Sequence, residues 1–445
     1  MLKNIIKKQL IKNHIKKLNK KRETIKDFNK YTLDLFAFGK DSTDQKVHMF
    51  DRWVNTLEEN NLYSFESQHT SEQKEKVYIT RSTGEKFFLL NFSSYNYLGY
   101  GYHSEVKQAA KDAIDEYGTG AASSPIISGN FSINKILEKK LIDFMRFDNS
   151  YGVSLFSTGY GVNTGTISAY MEYGTYVIVD ELVHTSIWEG ARLSKAKILI
   201  FKHNDMRDLK KILNSIKNKN VRKLICCEGV YSADGDKANL KDIVKLAKKY
   251  HAKTLVDEAH SIMVAGQNGR GVSEELGILE QVDFFILTFS KAFCALGGAL
   301  IAKKELTRYV DWFAKNRMFS AGIPPSVVGG IIKALDLGSS LDGQEKRIKI
   351  MDNAKLMMSL LKDKINILDS ESWIIPIMYY DEKITLKLSD FLQRNGMDAG
   401  MMSYPSVPHN QARIRLFVTS EHTKEQIREG SIILIKAAKA FNFLK

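Results

Sequence analysis

The chain has 445 residues, 44% of them hydrophobic, and a formal net charge of +14, which is enough apolar material for a large core in two lobes. Its three cysteines, Cys226, Cys227 and Cys294, form no CxxC pair, so a disulfide framework and a cysteine-based zinc site are excluded and a reduced, cytoplasmic protein is expected. There is no HExxH motif, no apolar run near the ~18 residues a membrane span requires, and no signal-peptide h-region, so no metal site and no secretion are expected.

In chain order, residues 1–85 are polar and helical in pattern and read as an N-terminal extension. Lys3 to Arg22 carries nine Lys/Arg and no acid, with Leu2, Ile5, Ile6, Leu10, Ile11, Ile15 and Leu18 at helical spacing. That is a basic amphipathic helix. Two readings of it stay open. It can contact an anionic membrane peripherally, at ~1 kcal/mol per basic residue, or pack on its own protein or a subunit partner with its lysines solvated. The overall charge suits an anionic partner, whether nucleic acid, a membrane surface, coenzyme A phosphates or an acidic carrier protein, or reflects only a lysine-rich proteome.

From 86 to about 330, short apolar runs alternate with helical patterns: "LICCEGVYS" (224–232), the helix-like "LKDIVKLAKKYH", "KTLVDEAH" (253–260) and "VDFFILTFSK" (282–291). Unbroken apolar strands interleaved with helices predict a large α/β domain with a mostly parallel sheet. Residues 331–445 read as a smaller C-terminal α+β domain, with strands "WIIPIMYY" and "ARIRLFVT" and a closing helix.

Within the larger domain, "STGYGVNTG" (157–165) places glycines between a strand and a helix. The spacing is wrong for a dinucleotide fingerprint, but such a turn still offers backbone N–H groups to a phosphate. His184 is a lone histidine that reads as structural or functional. "VDEAH" (256–260) resembles a helicase acidic box, yet no GxxxxGK[ST] phosphate loop accompanies it, so a nucleic-acid motor is excluded and no nucleic-acid partner is expected. Taken alone, Asp257 reads first as a helix N-cap. Lys291 alters that weighting. It ends an apolar strand in "TFSKAFCALGG" (288–298), and a desolvated lysine tends to be paired, deprotonated or covalently engaged. A lysine of that kind suits Schiff-base chemistry. With a phosphate-type turn and a strand-end acid, the ingredients match a pyridoxal phosphate (PLP) site, the acid facing the ring nitrogen at a cost of ~4 kcal/mol to separate.

These motifs, together with "SYNYLGYG", "GTGAASSPIISGN", "DELVHTSIWEGARLS", "FKHNDM", "EGVYSADGD", "GRG", "FSAGIPPS" and "ARIRLFVTSEHT", resemble the α-oxoamine synthase family from about residue 88 to the C-terminus. Members are homodimeric fold-type I PLP enzymes that join an amino acid to an acyl thioester, on coenzyme A or a carrier protein, and release CO2. The resemblance implies that Lys291 forms the internal aldimine and moves the α-proton. It implies that Asp257 pairs with the ring nitrogen, His260 with the ring hydroxyl, and that His184 stacks on the ring. Gly159 and Tyr160 would hold the phosphate, Ser232 and Thr288 would line the pocket, and Ser320 would reach the neighbouring subunit's phosphate. Asn96 and Arg413 would meet the substrate carboxylate. Pro125, Asn134, Val183 and Cys294 depart from the family pattern. The motifs are most similar to serine palmitoyltransferase catalytic subunits, which implies L-serine, a long-chain acyl thioester and the first step of sphingolipid synthesis. The alternatives are alanine with a pimeloyl thioester, glycine with a short acyl group, and a non-catalytic membrane- or carrier-binding scaffold.

Overall fold

Ser42 caps the first described helix, α1 (Thr43–Glu59): its Oγ accepts the Gln45 N–H, and the Gln45 side chain accepts the Ser42 N–H. Such a capping box satisfies two orphan donors at once. The helix buries Trp53 and Leu57, which pack on Leu386 near the C-terminal end of the chain. In this computed structural model residues 42–445 are described; the basic helix expected over residues 3–22 lies outside them.

The expectation that the chain stays helical to residue 85 is corrected. "KVYIT" buries Val77 and Ile79 and exposes Tyr78, the period-two alternation of a half-covered strand. It forms β2 (Lys76–Thr80), antiparallel to β1 (Gln68–His69) and β3 (Lys86–Asn91).

The unbroken apolar runs behave as expected. Tyr151–Phe156 (β4), Tyr176–Asp180 (β5), Lys197–Phe201 (β6), Lys223–Glu228 (β7), Lys253–Asp257 (β8), Phe284–Thr288 (β9) and Gly298–Lys303 (β10) form one sheet in the order β4-β10-β9-β8-β7-β5-β6. Pairings among β5 to β9 are parallel, and β10 runs antiparallel to both neighbours. Every residue of β7 and β9 is buried, which a strand without a polar face requires. Helices between the strands supply that cover, and the fold is the mostly parallel α/β sheet expected.

Towards the C-terminus, β11 (Ile374–Tyr380), β13 (Gly400–Met402) and β14 (Ala412–Phe417) form an antiparallel sheet in the order β11-β14-β13. Pro376 sits in β11, at the edge of that sheet, where a missing N–H is tolerated. Between them, β12 (Met397–Asp398) pairs in parallel with β3, so the C-terminal part carries the N-terminal strands. Among the described residues no helix is long and apolar enough to cross a membrane.

Candidate active site

Four neighbouring strands of the large sheet end on a polar residue: β5 on Asp180, β7 on Glu228, β8 on Asp257 and β9 on Thr288. Carboxyl ends of strands in an open α/β sheet are where loops diverge and leave a crevice. Here the crevice is a cavity of about 560 Å³ whose wall includes Gly159, Tyr160, His184, Ser232, Asp257, His260, Thr288 and Lys291. The structure therefore gathers eight residues singled out from the sequence, contributed by five separate loops.

One wall is the start of α2 (Gly159–Tyr170). Thr158 caps it, its Oγ1 accepting the Gly161 N–H at 2.9 Å, which leaves the N–H groups of Gly159 and Tyr160 at the positive end of the helix. Gly159 is required by space: a Cβ there would lie 2.1 Å from Thr288 Oγ1 and 2.7 Å from Thr288 Cβ. One turn further on, Asn163 Nδ2 donates to Asp257 Oδ2 at 2.6 Å and to Ser186 Oγ at 2.9 Å. Asp257 also accepts the Ala259 N–H at 2.9 Å, so both carboxylate oxygens are held in place.

His184 begins α3 (Thr185–Leu193) as its N-cap, with Nδ1 2.8 Å from Ser186 Oγ, and its ring is exposed to the cavity. Burial of its surroundings and then the Lys291 charge hold its pKa below the ordinary value, Asp257 opposing. His260 is fully enclosed, with Nδ1 2.7 Å from the Tyr97 hydroxyl; burial, Lys291 and Arg415 keep it well below the usual histidine range, so it is neutral at pH 7. Burial pushes the Lys291 ammonium down to about 8, against the pull of Asp257 and Glu228. A lysine in that state is partly neutral near pH 8 and is a nucleophile.

Three expected residues lie elsewhere. Arg413 does not line the cavity: its guanidinium is buried and committed to Asp234 at 2.7 Å and to the carbonyls of Gln411 and Ala233. That corrects its expected role, because a buried guanidinium already paired with a carboxylate is not free for a substrate. Asn96 is likewise absent from the wall: its side chain accepts the Gly101 N–H and donates to the Gln73 carbonyl, pinning the 96–101 turn. Ser320 is exposed outside this cavity. Of the departures, Val183 lines the cavity, whereas Cys294 packs behind the lysine turn against Gly101.

The wall residues that escape sequence reasoning include Tyr95, Asn163, Glu228 and Arg415. Arg415 donates to the Ser232 carbonyl at 2.7 Å and to the Tyr95 hydroxyl at 3.1 Å, and its guanidinium lies 4.4 Å from the Phe417 ring centroid. The signal for it was present, as a second arginine two residues along the same strand face. Glu228 has the same signature as Asp257, an acid ending an apolar run.

An aldehyde-bearing aromatic phosphate suits these groups. The helix start takes a phosphate, the anchored carboxylate of Asp257 takes a ring cation, and Lys291 can condense with an aldehyde. The class so defined is that of the fold-type I PLP enzymes. Comparison with known proteins agrees: the model of the family described as aminotransferase class I and II matches residues 89–431. An 8-amino-7-oxononanoate synthase of Thermoanaerobacter pseudethanolicus is 39% identical over 357 residues, 80% of this chain and 89% of that protein. The 8-amino-7-oxononanoate synthase 1 of Bacillus subtilis is 34% identical over 88% of this chain and 97% of its own. Among solved structures, a serine palmitoyltransferase of S. paucimobilis bound to a PLP–myriocin aldimine superposes with a TM-score of 0.84, at 30% identity, covering 91% of this chain and 100% of that one. The chain belongs to the aminotransferase class I and II family and, within it, to the α-oxoamine synthases. Its cofactor is PLP.

Proposed function

We propose that the enzyme joins alanine to a pimeloyl thioester with loss of CO2, giving 8-amino-7-oxononanoate. The observation that carries this reading is the extent of similarity to proteins named for that reaction, over most of both chains. It replaces L-serine as the first expectation. A second reading, serine palmitoyltransferase, is favoured by solved structures that superpose over 91% of this chain and by the wall itself. Leu182, Val183, Leu296 and Met402 form its aliphatic part, and among the described residues lining it the only Lys or Arg side chains are Lys291 and Arg415. A long alkyl chain needs no charge partner, whereas the far carboxylate of a pimeloyl group calls for a cation.

Bound in this cavity, PLP supplies an aldehyde and a pyridinium ring that draws electrons from the substrate α-carbon. In our reading Lys291 holds the cofactor through its amine and, once released, takes and returns the α-proton. Asp257, oriented by Asn163, keeps the ring nitrogen protonated. His184 presents its ring face to the cofactor, and neutral His260, fixed by Tyr97, offers Nε2 to the ring hydroxyl. The N–H groups of Gly159 and Tyr160 hold the phosphate, with Ser232 and Thr288 closing the pocket. Arg415 takes the role first expected of Arg413: it can grip the substrate carboxylate bidentately and align the bond to be broken.

We further propose a homodimer in which Ser320 reaches the partner's phosphate. It lies on an exposed loop beside Phe319, which is 79% exposed, an apolar side chain suited to a subunit contact.

The experiment is a substrate panel on the PLP-loaded enzyme. Alanine, serine, glycine and threonine are compared by the spectral change each causes, then paired with pimeloyl and palmitoyl thioesters while CO2 release is followed. Turnover of alanine with pimeloyl thioester supports the first reading; preference for serine with palmitoyl thioester overturns it in favour of the second.

A further inference from the structure

Glu228 ends β7 in register with Asp257 at the end of β8. In-register residues of a parallel pair project to the same face, so two carboxyl groups share one cavity wall with Lys291. Glu228 is 2% exposed, and both of its oxygens are used. Oε1 accepts the His184 N–H at 2.6 Å and Oε2 accepts the Ser232 N–H at 3.1 Å. These two N–H groups belong to two separate loops that carry cavity residues, the one after β5 and the one after β7. A single carboxyl thus ties the loop before α3 to the loop after β7.

We propose that Glu228 is a positioning residue of this site, holding the main chain at His184 and Ser232 and, through its charge, setting the pH at which Lys291 loses its proton. The proposal rests on the reading of Lys291 as the cofactor lysine. Geometry carries it. A buried carboxyl accepting two backbone N–H groups from separate loops fixes their spacing, and a displaced histidine ring would meet the cofactor at the wrong angle. Electrostatics point the same way: burial and the neighbouring Asp257 push Glu228 up to about 8, while Lys291 and the two N–H groups oppose them. Carboxyl and ammonium therefore titrate in the same range, each steadying the charged form of the other.

The test uses the PLP-loaded enzyme and two variants, Glu228→Gln and Glu228→Asp. An amide keeps one acceptor oxygen for the two N–H groups and carries no charge. For Glu228→Gln the pH midpoint of the visible cofactor band is expected to move down by about one unit. Its kcat should fall about tenfold, the equivalent of one lost buried hydrogen bond, with KM for the amino acid held. Glu228→Asp retains the charge but is one methylene short, so its midpoint should stay near wild type while kcat falls. A Glu228→Gln enzyme with wild-type midpoint and kcat overturns the proposal; if that variant does not fold, Glu228→Asp with wild-type kcat overturns it. Absence of the band from wild-type enzyme would instead overturn the reading of Lys291.

Discussion

Replacing His203 by alanine should destabilise the fold by several kcal/mol at pH 6 and by almost nothing above pH 10. His203 bridges two carboxylates: Nδ1 lies 2.9 Å from Asp180 Oδ1 and Nε2 lies 2.8 Å from Asp236 Oδ2. Asp180 is fully buried, and the imidazole is 21% exposed. Burial opposes its charge, but the hydrogen bonds and charges of Asp180 and Asp236 overcome that and push its pKa from 6.5 up to about 10. That difference corresponds to about 5 kcal/mol of preferential proton binding by the folded state. Breaking a buried ion pair by removing one partner typically costs ~3–5 kcal/mol, which agrees. The folded pKa is raised, so the contribution is complete below pH 6.5, declines by about 1.4 kcal/mol per pH unit above it, and is gone once the pH passes about 10. The assay is the urea midpoint of wild type and His203→Ala from pH 6 to pH 10. A gap that does not narrow with rising pH, or one below about 1 kcal/mol at pH 6, would refute the reasoning. The consequence reaches the site, because Asp180 ends the strand leading to His184 and Asp236 lies in the loop that begins at Ser232.

Three further outcomes are expected. Arg415→Gln should raise KM for the amino acid about tenfold or more at unchanged thermal stability, whereas Arg413→Gln should lower stability by ~2 kcal/mol through the lost charge-assisted hydrogen bond to Asp234; steady-state kinetics with a thermal melt of each variant separates the two. Gly101→Ala puts a Cβ 2.3 Å from Cys294 Sγ and should destabilise by ~1–3 kcal/mol. Cys294, at φ +50, is itself strained, so Cys294→Gly should restore most of the loss, and a double-mutant cycle that shows simple additivity would sink this contact. With Lys291 pushed down to about 8, capture of PLP by the apoenzyme should speed up about tenfold between pH 7 and pH 9, as the neutral amine becomes the major form. Stopped-flow absorbance measures this, and a flat profile contradicts it.

How much of this was legible depended on what kind of contact each feature needed. The strands β7, β8 and β9 announce themselves because a run with no polar face can only be buried on both sides. Lys291, Asp257 and Gly159 were legible for the same reason: each is a residue of unusual type at the end of such a run or at the turn that follows it. Residues 76–80 were missed because five residues of alternation inside a polar stretch resemble an amphipathic turn, and only pairing with β3 and β12's sheet distinguishes them. His203 was hidden because its partners lie 23 and 33 residues away in sequence, and no local pattern encodes that a histidine will bridge them.

Arg413 and Arg415 show the limit most clearly. They stand two residues apart and therefore share a face of β14, so periodicity assigns them equal claims on the cavity. What separates them is a partner on another loop. Asp234 pairs with Arg413, while Arg415 is held by a carbonyl and a hydroxyl, neither of which cancels its charge. An arginine steadied by neutral acceptors keeps its full attraction for an anion, and one already paired with a carboxylate does not. In our proposal the choice of substrate-binding residue is thus made by the second partner of each side chain, a property of the folded loops around Ser232 and absent from the strand's own sequence.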